Sequence, residues 1–76
     1  MESKILEILK NIRPDSDFEA SEDFIEDFLL DSFDIINLAN DLQTTFDIKI
    51  NSELIVPENF ESIQAIARMI RQIGEA

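Results

Sequence analysis

The sequence predicts an all-α fold, a small four-helix bundle with three long amphipathic helices and one short helix. Three observations point there. Apolar residues recur at helical spacing in three separate stretches. Turn residues are scarce: Gly74 is the sole glycine and Pro14 and Pro57 are the only prolines, which disfavours a many-turned β fold. The chain has 76 residues, enough for one modest core, and none of the stripes can be buried except against the others.

The first helix is expected over residues 3–13. Ile5, Ile8, Leu9 and Ile12 share one face, and Lys4, Glu7, Lys10 and Asn11 take the other. Pro14 ends it, because the residue before a proline is pushed out of the helical region. Residues 14–31 follow as a long connection with eight acidic residues and no basic one. It also holds Phe18, Phe24, Ile25, Phe28, Leu29 and Leu30. Those side chains need burial, so the connection should lie against the bundle. Ser21 is a candidate cap for a helical turn over 22–28. A connection this long in so small a domain is often functional.

The strongest helix spans 32–46, where Ile35, Leu38, Ala39, Leu42 and Phe46 form the inner stripe. Asp31 is its expected N-cap. Asp34 puts negative charge where the helix dipole favours it. Phe33 and Ile36 sit off the stripe and should be at least partly exposed. Asp47-Ile48-Lys49-Ile50 reads as an extended connector that buries Ile48 or Ile50. Asn51 and Ser52 are candidate caps for a short turn through Glu53-Leu54-Ile55-Val56, closed by Pro57. The last helix carries Ile63, Ile66, Ala67, Ile70 and Ile73 on one face. Asn59 or Ser62 is its candidate cap, and Gly74 suits its end. The whole, residues 1–76, reads as a single domain.

Composition narrows the chemistry. There is no Cys and no His. Thiol nucleophiles, disulfides and zinc-thiolate sites are excluded, as are the commonest general base and the commonest transition-metal ligand. No basic residue lies between 14 and 48. A serine activated by a lysine would need Lys4, Lys10 or Lys49 brought close in space. The net charge of −11 repels nucleic acid and anionic membranes and attracts basic protein surfaces. No apolar run is long enough to span a bilayer, and the first residues lack a signal-peptide layout. A cytoplasmic, monomeric protein is expected. Asp15, Asp17, Glu19 and Glu26 fall at ligand positions of a Ca²⁺ loop. Ala20 stands where that loop needs glycine, however, so no specific metal site is expected.

The most informative stretch is Leu29-Leu30-Asp31-Ser32-Phe33. It resembles the attachment motif of acyl carrier proteins and peptidyl carrier domains, an Asp-Ser-Leu at the start of the second helix. The resemblance covers nearly the whole chain: amphipathic first helix, acidic loop, Asp-Ser helix ending at Phe46-Asp47, short third helix and amphipathic last helix, in that order. It implies that Ser32 accepts 4′-phosphopantetheine from coenzyme A through a Mg²⁺-dependent phosphopantetheinyl transferase. It implies that Asp31 assists that step and that the arm then carries acyl cargo as a thioester, with no catalysis by the chain itself. Phe33 and Ile36 match family positions that contact partner enzymes, and Asp34, Asn37 and Asn40 are the neighbouring candidates. The implied partners are that transferase and acyl- or aminoacyl-activating and transferring enzymes.

Two departures matter. Fatty-acid carriers usually bear several glutamates on the second helix. Here that helix has Asn37, Asn40, Gln43 and Thr44, with only Asp34 and Asp41 acidic, and the charge lies in the preceding loop. Leu30 replaces the usual glycine before Asp-Ser. Leu-Leu-Asp-Ser-Phe is closer to D-alanyl carriers and other stand-alone carriers loaded by adenylating ligases. An unmodified acidic docking module is the remaining reading. There Ser32 and Asp31 would serve only as capping residues.

Overall fold

The computed structural model describes residues 1–75. Its elements are α1 (Glu2–Ile12), α2 (Ser32–Phe46), a short 3₁₀ turn (Ser52–Leu54), α3 (Pro57–Phe60) and α4 (Ile63–Glu75). The regular structure among the described residues is all helical, with no strand. The expected bundle of three long helices and one short one is the fold observed.

One hydrophobic cluster holds the helices together. Ile5, Ile8 and Leu9 of α1, Leu38, Ala39 and Leu42 of α2 and Ile66, Ala67 and Ile70 of α4 meet in it. α1 packs against both α2 and α4, so the three stripes share one burial, which is why helices too short to be stable alone persist here. Phe60 of α3 and Met69 of α4 are also buried. Neither belongs to a stripe that periodicity picks out: α3 is too short to show a period, and Met69 lies beside the Ile66–Ile70 row.

The caps differ in part from those expected. Ser62, not Asn59, starts α4, its hydroxyl oxygen accepting from the Ala65 N–H at 3.0 Å. Asn59 instead donates its side-chain amide to the Leu54 carbonyl. Pro57 opens α3 instead of closing the turn before it, as suits a residue with no N–H to leave unpaired. Gly74 lies inside α4, which continues to Glu75, and does not take a left-handed end conformation.

After α2 the chain reverses through Asp47, at φ 54° and ψ 51°. The N–H groups of Asp47 and Ile48 both donate to the Gln43 carbonyl. The Gln43 side-chain oxygen accepts from Ile50 at 2.8 Å. One glutamine thus folds the connector back, and Ile50, rather than Ile48, is the residue that becomes buried.

The long α1–α2 connection packs on the bundle as expected. Phe18 and Phe24 are fully buried with their rings edge to face, centroids 5.1 Å apart, a favoured aromatic geometry. The Phe24 N–H donates to the Glu61 carbonyl at 2.7 Å, tying the loop to the α3–α4 junction. Phe28 departs from expectation. It is 88% exposed.

Candidate functional site: the start of α2

The loop that delivers the chain to α2 contains one tight helical turn. Asp23 caps it: its Oδ1 accepts from the N–H groups of Ile25 and Glu26, both at 3.0 Å. That makes Asp23, not Ser21, the capping residue. The Ser21 hydroxyl donates instead to Asp27. The turn closes with the Leu29 N–H on the Phe24 carbonyl and the Phe28 N–H on the Ile25 carbonyl. This paired closure places Phe28 in the left-handed region, φ 61°, at the position where glycine is usual.

Three residues on, α2 begins with a complete capping box. The Asp31 Oδ1 accepts from the Asp34 N–H at 2.8 Å, and the Asp34 Oδ2 accepts from the Asp31 N–H at 3.3 Å. Arg13, just past α1, donates to the same Asp34 oxygen at 3.0 Å. Asp34 is buried, 6% exposed. Its place among the expected partner-contacting residues is therefore corrected. Its carboxylate is turned inward and held by two donors, so it fixes the start of α2 and its link to α1. A charge-assisted bond to a largely buried carboxylate is worth more than a surface pair.

Ser32 is the first residue of α2 and is exposed. The cap is made by Asp31, so the serine hydroxyl is not needed for it. Asp31 is exposed too. Phe33 and Ile36, at 70% and 52% exposure, lie open as their position off the stripe requires. Asn40 is exposed and Asn37 half-buried. A cleft of about 500 Å³ lined by Leu6, Phe18, Phe24 and Ile63, among others, includes none of residues 31–36. The α2 start lies at the surface, with Asp31, Ser32 and Phe33 all exposed. A hydroxyl so displayed suits a residue on which another protein acts.

The site fits a phosphodiester. The serine oxygen stands at the N-terminus of a 15-residue helix, where the dipole and the free N–H groups of the first turn favour negative charge. The side chains of Asp31 and Asp34 are committed to each other's backbone and to Arg13, which draws part of their charge away from the serine.

A protein-family model described as a phosphopantetheine attachment site matches residues 3–70. The chain belongs to this family. Its members carry covalently attached 4′-phosphopantetheine and act as carriers alongside phosphopantetheinyl transferases and acyl-handling enzymes. No curated protein and no solved structure matched the chain.

Sequence reasoning missed one residue of this region and misplaced another. Arg13 sits alone at the end of α1, and only the fold brings it to Asp34. Phe28 is apolar and was expected inside. The signal that could have located it is Asp23, a good N-cap five residues upstream, which sets where the turn ends. Among the described residues no group of three or more Asp and Glu is arranged to hold a metal; Glu19 is paired with Lys10 at 3.0 Å. Among the same residues no helix is long and apolar enough to cross a membrane.

Proposed function

We propose that Ser32 is the attachment residue and that this chain forms an acyl carrier domain. The observation that carries this is an exposed serine opening a long helix whose cap is supplied by its neighbour, within a chain of the phosphopantetheine attachment family. The bound group would supply a flexible arm ending in a thiol, on which cargo is held as a thioester. The chain's own part is to present and orient. Asp31 holds the first turn of α2 rigid, so Ser32 leaves the surface in one direction. Asp31 immediately precedes the serine and is exposed, and its carboxylate assists the transfer from coenzyme A. In that transfer the serine oxygen bonds to phosphorus as the bond to adenosine bisphosphate breaks. Phe33, Ile36 and Asn40 form the rim that partners touch, with Asn37 half-buried beside them. The domain performs no catalysis itself, consistent with a sequence that has no His and no Cys.

A second reading, an aminoacyl carrier such as a D-alanyl carrier served by an adenylating ligase, is favoured by one observation. Asn37, Asn40, Gln43 and Thr44 stand on α2 where fatty-acid carriers are acidic.

The test is intact mass spectrometry of the purified protein before and after incubation with coenzyme A, Mg²⁺ and a broad-specificity transferase. One added phosphopantetheine mapped to Ser32 is expected, and none in Ser32→Ala, whose helical circular dichroism stays close to wild type. Folded wild-type protein that gains no mass leaves an unmodified docking module as the better account. The aminoacyl reading is then examined by offering the loaded carrier to adenylating ligases with D-alanine.

A further inference from the structure

Phe28 is unfavourable twice over within the isolated chain. A bulky L-residue in the left-handed region carries a steric cost that glycine avoids. Its ring is 88% exposed, so no packing in the core offsets that cost. The surrounding turn over-determines the geometry: Asp23 fixes its start, and Phe24, Leu29 and Leu30 tie its end, with the Leu29 and Leu30 N–H groups both on the Phe24 carbonyl. A side chain held outward at an outlying backbone position is the kind of observation from which a functional role is inferred.

Its location says what it meets. Ser32 is four positions after Phe28, a span of at most about 14 Å. A protein acting on Ser32 through a standard interface covers about 800 Å² of this chain, a disc roughly 16 Å in radius. Phe28 falls inside that footprint, on the loop side of the serine, whereas Phe33 and Ile36 lie on the helix side. Glu26 and Asp27 precede it and are exposed, and no basic residue lies anywhere between 14 and 48.

We propose that Phe28 is an anchor for the phosphopantetheinyl transferase that modifies Ser32, entering an apolar pocket rimmed by Lys and Arg. Aromatic anchors in desolvated pockets commonly dominate interface energy, and the acidic loop gives the encounter its steering. The inference rests on the assignment of Ser32 above.

The experiment measures transferase KM and kcat for the apo protein, together with thermal stability, in Phe28→Gly, Phe28→Leu and Asp47→Gly. Asp47 is the other left-handed residue. It lies beyond the far end of the 15-residue α2, about 22 Å from Ser32, so Asp47→Gly is the control for a left-handed residue replaced by glycine away from Ser32. In Phe28→Gly the melting temperature is expected to rise by about 3–6 °C while KM rises at least tenfold and kcat changes less than threefold. Phe28→Leu should recover much of the KM, and Asp47→Gly should leave it unaltered. Glu26→Lys should raise KM several-fold at low salt, and equality with wild type would remove the basic rim. A KM within twofold of wild type in Phe28→Gly overturns the anchor. So does a fall in melting temperature with KM and kcat both impaired, which makes Phe28 structural. A wild-type protein that is never modified fails the Ser32 assignment itself, a result separable from the others because no variant is needed to see it.

Discussion

The chain turns left-handed at two described residues, one on each side of α2, and they are opposites. Asp47, after the helix, is a residue type that tolerates this region well because its short side chain suits it. Its N–H and that of Ile48 satisfy the Gln43 carbonyl, and the result is a connector that buries Ile50. Everything about Asp47 is explained by the chain's own fold. Phe28, before the helix, makes an equally complete set of backbone bonds, yet its side chain suits neither the backbone nor the water around it. The same local device thus serves folding at one end of α2 and surface display at the other. The displayed end is the one with Ser32.

The comparison breaks if the loop is not rigid enough to impose its geometry. Phe24 is the test, being fully buried against Phe18 and the donor to Glu61. Phe24→Ala should cost about 3–5 kcal/mol of stability, measured by urea denaturation, the largest effect expected of any single change in the loop. Hydrogen exchange in that variant should accelerate at Leu29 and Leu30, whose N–H groups close the turn, with less change at Ile48 and Ile50 beyond Asp47. Equal acceleration on both sides of α2 would mean that the two turns share one stability and that the loop is not a separately held unit.

The cap between Phe28 and Ser32 sharpens the contrast. Asp31→Ala removes the acceptor for the Asp34 N–H and should cost about 1 kcal/mol. Asp31→Asn keeps an oxygen acceptor and should cost only a few tenths. If Asp31 also assists modification of Ser32, the two variants should be slowed alike by the transferase despite their different stabilities. Transfer rates that track the melting temperatures instead would reduce Asp31 to a cap.

Much of this arrangement is legible in the sequence, and the remainder is not for identifiable reasons. Long stripes such as Ile35–Leu38–Leu42 repeat often enough to define a face, so α1, α2 and α4 follow from periodicity. Asp31 as N-cap follows from residue type and place. Asp34 resists the same treatment. An acid in the first turn reads as a surface charge until Arg13, 21 residues earlier, arrives through tertiary packing to share its burial. Phe28 fails for the converse reason. Apolar residues in a dense run, Phe24 to Leu30, all look like core, and only the hydrogen bonds of the turn decide which one is turned outward.

The smallest effect is the most direct check on the pairing of the two turns. Asp47→Gly removes a modest backbone cost. It also removes a negative charge from the C-terminal end of α2, where the dipole disfavours it and where the last turn has no basic residue. Against this, glycine makes the unfolded chain more flexible, a loss of roughly 0.5–1 kcal/mol. The net change should be a stabilisation of about 0.5 kcal/mol or less, read from the denaturation midpoint at constant slope. Phe28→Gly carries the same entropic loss but relieves a larger backbone cost and an exposed ring, so its gain should exceed that of Asp47→Gly. Should Asp47→Gly stabilise as much as Phe28→Gly, Phe28 would be no more strained than an ordinary left-handed aspartate, and the ring's exposure alone would have to justify its place beside Ser32.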